Sequence, residues 1–343
     1  MKKTLIAALL LSTWLAPAAS QLPRDLRTDG KAVQSAFAEA AKAANQCTVR
    51  LFDGKDVMRG LGTVVSKDGL VVAKNSEFQI MQSGRLKVMG PGIRIGFARV
   101  VARDIPHDLI ILDLGREVDP GYEWGSSESL EHGTWLVAGT STSPPKVGVR
   151  GGVLSATARE IKKAGGVIGV IFGGRDGKSF GGVQVSEVAK GGPAEKAGVK
   201  KNDVIYAIDG EEVFERAKMI EIVKSNDPGT TITVSIKRGE DKKDLKITLG
   251  YRNLVFSDRE LKSRNDRMSG KVSVRRTGFK RVIQHEISLV PMDMGGPLFD
   301  LEGKLVGINI AKANRVEFFA IPIEDIQQVL EDKADEIAKA RGE

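Results

Sequence analysis

Short apolar runs separated by turn residues govern what this chain can fold into. Gly62-Thr63-Val64-Val65 and Leu70-Val71-Val72-Ala73 flank Ser66-Lys67-Asp68-Gly69. Asp-Gly tolerates the positive φ of a tight turn, so the pair predicts a β-hairpin. Similar runs follow at 97–102, 109–113, 135–139 and 147–155. Closely spaced strands of this kind imply an all-β barrel or sandwich. The pattern breaks between residues 165 and 250, where strands alternate with a short helix in Pro193-Ala194-Glu195-Lys196-Ala197-Gly198-Val199 and a longer one over about 215–225. That stretch predicts a compact α+β module. The β pattern then resumes at VIQHEISLV, GPLFD, KLVGINIA and EFFAIP, so the module interrupts a β domain instead of following it. Ala-rich residues 31–46, without Gly or Pro, predict a helix ahead of the first strand. A last helix is expected over about 324–340, with Ile326, Val329, Leu330, Ala334 and Ile337 on one docking face.

Residues 1–20 carry the order of a secretory signal. Lys2 and Lys3 precede an apolar run from Leu5 to about Leu15, then the small residues Ala16, Ala18, Ala19 and Ser20. Cleavage after Ala18 or after Ser20 satisfies the small-residue rule, and the expected location is periplasmic or otherwise extracytoplasmic. Cys47 is the only cysteine, so no intrachain disulfide can form and stability must come from packed cores. The formal charge is +8, and residues 259–281 hold nine basic and two acidic residues. Within that stretch only Phe279 could stack on a base, which with the export signal argues against a nucleic-acid partner. A solvated basic connector is the expectation there.

Gly191-Gly192-Pro193-Ala194-Glu195-Lys196-Ala197-Gly198-Val199, with the Asp209-Gly210 turn and Asp227-Pro228-Gly229, resembles the core of bacterial protease PDZ domains. The resemblance implies peptide capture by strand addition, with the terminal carboxylate held on backbone N–H groups. Gly166, Val167, Ile168, Gly169 and Val170 resemble the capturing loop, with Phe172, Arg216 and Ile220 facing the groove.

The flanking segments resemble the HtrA/DegP-like, trypsin-fold serine proteases. Residues 60–72 are similar to the hairpin of the family's first barrel, 133–139 and 148–156 to strands of its second, and Gly295-Gly296-Pro297-Leu298, Gly303–Asn309 and Phe319–Pro322 to the nucleophile loop and the strands behind it. The implied fold is mainly β, a trypsin-like double β-barrel with an inserted α+β PDZ domain. Residues 1–20 would be the signal peptide. Residues 31–160 would supply the helix, the first barrel and the start of the second, 165–250 the PDZ domain, 251–281 the basic connector, and 282–343 the rest.

Two triad positions depart from the family. Ser76 stands at the base position, in Lys74-Asn75-Ser76-Glu77, and Met294 at the nucleophile position, while Asp108 matches the family's Asp. Met292 and Asp293 replace the family's Gly and Asn in the oxyanion loop. A thioether has no proton to lose and a serine cannot act as the base, so ordinary triad chemistry is not expected. The sequence therefore points to a catalytically inactive, non-enzymatic homologue that binds exported polypeptides or their C-termini in envelope quality control or protease regulation. The alternatives are an active serine-type endopeptidase with a non-standard site and an envelope scaffold held by its basic connector. The expected partners are polypeptide segments, an active protease and a second copy of the chain. No cofactor or metal is expected.

Overall fold

The computed structural model describes residues 23–27, 30–78, 85–90, 93–141, 147–177, 180–256 and 268–342; the signal sequence expected at 1–20 lies outside them. Residues 1–38 form a separate unit that contains α1 (Lys31–Ala36). The single helix expected over 31–46 is two: Phe37 turns its N–H to the Gln34 and Ser35 carbonyls, and α2 (Ala38–Cys47) follows. α2 buries Ala40, Ala43, Ala44 and Cys47. Burial pushes the Cys47 thiol up to about 12. Little thiolate forms at neutral pH, so Cys47 should resist a thiol-specific reagent until the chain is unfolded. Rapid labelling of the native protein in a spectrophotometric thiol assay would refute this.

Two closed six-stranded barrels and one open sheet make up the rest. The first barrel consists of β1 (Thr48–Phe52), β2 (Met58–Val64), β3 (Leu70–Lys74), β4 (Arg85–Gly90), β5 (Ile93–Asp104) and β6 (Leu109–Asp113), closed in the order β1-β2-β3-β6-β5-β4. Every residue of β3 and β6 is buried, which explains why both read as apolar runs up to a charged last residue, Lys74 or Asp113, instead of alternating. The Asp-Gly turn joins β2 to β3 with Gly69 at φ 89°.

The second barrel is assembled from two distant parts of the chain. β7 (Trp135–Thr140) and β8 (Gly148–Ile161) come before the inserted module. β15 (Phe279–His285), β16 (Pro297–Phe299), β17 (Leu305–Lys312) and β18 (Phe318–Pro322) come after it, and the barrel closes as β15-β18-β17-β16-β7-β8. The join is β8 against β15, with Ile161 paired to Phe279 and the Gly278 N–H donated to the Ile161 carbonyl at 2.9 Å. The insertion thus leaves and re-enters at neighbouring points of one antiparallel ribbon. A domain whose ends lie close together can occupy such a site without disturbing the barrel.

The inserted sheet runs β14-β13-β11-β10-β9, with β12 on β11. Its strands are β9 (Val170–Gly177), β10 (Gly182–Val188), β11 (Val204–Ile208), β12 (Glu211–Glu212), β13 (Thr231–Arg238) and β14 (Asp241–Thr248). α3 (Pro193–Lys196) starts on a proline, whose missing N–H costs nothing in the first turn, and a left-handed glycine, Gly198, follows it. α4 (Arg216–Ser225) buries Met219 and Val223 in the module's core. A short helix, α5 (Arg252–Val255), follows β14.

The expected C-terminal helix is also interrupted, at Lys333, giving α6 (Ile323–Asp332) and α7 (Ala334–Arg341). Ile326, Val329 and Ile337 are buried as expected, but Leu330 is only half-buried and Ala334, the first residue after the break, is exposed. The Arg341 guanidinium reaches the Asp68 and Asp113 carboxylates, which ties the end of the chain to the first barrel.

Candidate functional site

The triad positions occupy the junction of the two barrels. Ser76 follows β3 and Asp108 precedes β6, strands that pair directly. Asp108 has φ 61°, a left-handed conformation that Asp tolerates better than most residues. Its carboxylate accepts three bonds: from the Ser76 N–H (2.8 Å), from the Ser76 hydroxyl (2.8 Å) and from the Lys74 ammonium (2.6 Å). Lys74 is 1% exposed and Asp108 1%. The positive charge beside this aspartate comes from Lys74, two residues before Ser76. Lys74 was not singled out in the sequence; the available signal was a charged residue closing the apolar run LVVAK, directly ahead of the base position.

Met294 turns away from this cluster. Its side chain is buried in the second barrel's core with Leu136, Ala138, Leu154 and Leu298. Its backbone faces the first barrel, with the Met294 carbonyl accepting from the Leu61 N–H at 3.0 Å. Next to it, Gly295 sits at φ 86°, and a Cβ there would lie 1.9 Å from the Leu61 carbonyl oxygen, so only glycine fits. The preceding Pro291–Asp293 forms a 3₁₀ turn in which the Met294 N–H is donated to the Pro291 carbonyl (3.3 Å). An amide committed inward in this way is not presented to a developing oxyanion. The Asp293 carboxylate is buried and accepts from Val290 N–H and from both the N–H and the hydroxyl of Ser141. Met292 is exposed.

The basic connector covers the aspartate cluster instead of running free in solvent. Lys74 donates a second bond to the Arg275 carbonyl at 3.0 Å. The Arg275 guanidinium in turn binds the Ile105, Pro106 and Gly278 carbonyls and lies 4.7 Å from the Phe279 ring. Arg276 donates to the Ala313 carbonyl, and Arg281 pairs with Asp325 and Glu128. The expectation of a solvated stretch is corrected for Arg275, Arg276 and Arg281, whose guanidiniums are tied to main-chain carbonyls and carboxylates; residues 257–267 of the stretch lie outside the described residues. Beneath the same segment, burial pushes the Glu77 carboxyl up, opposed by the Lys74 charge and the Val274 N–H.

The second candidate site is the groove between β9 and α4. Among the described residues β9 pairs only with β10, which leaves its other edge without a strand partner there. A cavity of about 170 Å³ lies alongside. Gly166, Val167, Ile168, Gly169, Val170, Phe172 and Ile220 all line it. Arg216 does not, but it donates to the Gly173 carbonyl and lies 5.7 Å from the Phe172 ring, at the far end of the groove. Gly169 adopts φ 84°. The carbonyls of Ile168 and Gly169 accept from Ala194 and Ala189, whereas their N–H groups donate to no carbonyl among the described residues. Two adjacent free N–H groups flanking a left-handed residue form an anion-binding concavity. Arg252 and Phe256 also line the cavity, and the sequence reading missed both because they fall beyond the module's last strand.

Residues 166–249 match the PDZ domain family. A probable periplasmic serine endoprotease, DegP-like, of Chlamydia trachomatis is 22% identical over 272 residues, 57% of this chain and 54% of that protein. Its namesake in Bartonella henselae is 24% identical over 291 residues, covering 62% and 57%. The chain spans about half the length of the curated relatives it matches. The solved serine endoprotease from Yersinia pestis is 17% identical, covers 62% of this chain and 97% of its own, and superposes at a TM-score of 0.31. These relatives correct the expectation of a non-enzyme. They are named serine endoproteases, and no finding shows inactivity, so a non-enzymatic chain is not supported.

Proposed function

We propose that this homologue of the HtrA/DegP-like serine proteases acts on polypeptide in the cell envelope, and that its PDZ domain captures C-terminal or extended segments on the open edge of β9. The observation that carries this reading is the pair of Ile168 and Gly169 N–H groups, uncommitted among the described residues, in an apolar groove beside the free edge of β9. An incoming strand would pair with Val170, Ile171 and Phe172, its last side chain in the cavity and its carboxylate on the two N–H groups. Arg216 holds the Gly173 carbonyl, which stops the added strand after about three residues. Its guanidinium there favours an acidic ligand residue. Export is part of the proposal, supported by the sequence of residues 1–20 and by relatives named periplasmic. On the same reading an active protease and a second copy of this chain are further partners.

Titrating the full chain with fluorescein-labelled decapeptides ending in Val, Leu or Phe tests the capture. Charge-assisted hydrogen bonds contribute about 1.5–3 kcal/mol, so free-acid peptides should bind about 10- to 100-fold more tightly than amidated ones. Gly169→Glu should abolish binding, since a side chain there requires an unfavourable φ and its Cβ would lie 2.7 Å from a Val255 methyl. Equal affinity for free and amidated peptides would overturn the proposal.

A further inference from the structure

The closed end of the groove is not built by the PDZ domain alone. After β14 the Gly250 N–H and carbonyl both pair with Val167, and Tyr251 leads into α5, which lies against the Gly169 loop. Val255 is buried there, its methyls filling the space that a Cβ would need at both Gly169 and Gly250. That packing sets Arg252 and Phe256 on the cavity wall, with the guanidinium 5.3 Å from the centre of the Phe256 ring. The cavity is lined by two cations, Arg252 and Lys224, and by no carboxylate. Neither cation has an ion-pair partner among the described residues.

We infer that Arg252, delivered by the connector, is a specificity determinant that selects ligands ending in a free carboxylate, and that Phe256 walls the pocket for the terminal apolar side chain. This rests on the peptide-capture reading above and adds to it the charge and the segment that supply the selection. Two N–H groups bond a carboxylate more strongly than an amide oxygen, and that preference alone is only part of the selection. A guanidinium beside them discriminates by charge, because only the ionised terminus gains from it. The groove is then complete only while α5 is docked, which makes recognition depend on the same connector that covers Lys74 and Asp108.

The full-length protein, its Arg252→Gln, Arg252→Lys and Phe256→Ala variants, and the same free and amidated decapeptides form the test. Wild type should prefer the free acid, and Arg252→Gln should cut that preference about five- to tenfold. Arg252→Lys should keep most of it. The preference should shrink with added salt, as expected for a partly exposed cation. Phe256→Ala should weaken free and amidated peptides alike, because it removes apolar wall and no charge. Circular dichroism and thermal unfolding identify any variant that fails to fold, and the lysine variant then decides by itself. An Arg252→Gln protein that discriminates as wild type does would overturn the inference while leaving peptide capture intact. A wild-type protein that binds free and amidated peptides equally, or binds none, would overturn the capture reading and this inference with it.

Discussion

Replacing Lys74 with Met should destabilise the first barrel by about 3–5 kcal/mol, the cost of leaving one partner of a buried ion pair without the other. Asp108 would keep its two bonds from Ser76 but lose the only cation in contact with it among the described residues, at 1% exposure. The loss should extend to the connector, since the Arg275 carbonyl also accepts from Lys74. Combining Lys74→Met with Asp108→Asn should recover much of the stability. Asn tolerates the φ of 61°, its oxygen can still accept from the Ser76 N–H, and its NH₂ can donate to the Ser76 hydroxyl. Urea unfolding followed by limited proteolysis at the connector reads both effects. A single variant as stable as wild type, or a double variant no better than the single, would show that the pair does not hold this junction together.

The pair also shows where the sequence was legible. The two β regions, the module between them and its helices follow from runs, turns and spacing, because each element must bury its own apolar stripe. The double barrel came from resemblance, and the structure supplies the reason the insertion is possible: Ile161 and Phe279 are partners in one ribbon. What the residues did not reveal depends on contacts between distant segments. Lys74 and Asp108 are 34 residues apart, and Lys74 and Arg275 are 201 apart. The direction of the Met294 side chain depends on the second barrel's core, a third of which precedes the insertion. A run of basic residues looks solvated by composition alone. Only the positions of the Ile105, Pro106 and Ala313 carbonyls show what its guanidiniums bind.

Between pH 6.5 and about 4 the protein should lose roughly 3 kcal/mol of stability through His285 alone. His285 is wholly buried on β15, stacked on the Phe318 ring at 5.9 Å, with Nε2 bonded to the Asn309 side-chain oxygen at 2.8 Å and Nδ1 accepting from the Ile287 N–H at 3.2 Å. Nδ1 as acceptor and Nε2 as donor define a neutral imidazole. Burial drives its pKa from 6.5 down to about 4, against the Asn309 bond, which pulls it upward. The unfolded chain therefore takes up a proton near 6.5 while the folded chain does not, and stability falls as pH drops through that interval. Above 6.5 both states are neutral and His285 contributes no slope. Glu77 works the other way, because a carboxyl raised by burial favours the folded state in acid and loses that advantage as pH rises. The net decline in acid should accordingly be shallower than His285 alone would give, and it should steepen in Glu77→Gln. His285→Phe should lower stability at neutral pH by leaving the Ile287 N–H and the Asn309 oxygen unsatisfied, yet flatten the pH dependence between 6.5 and 4. Urea titrations at several pH values measure the slope. The imidazole resonance that disappears in the Phe variant should titrate near 4, and a midpoint near 6.5 would refute the assignment.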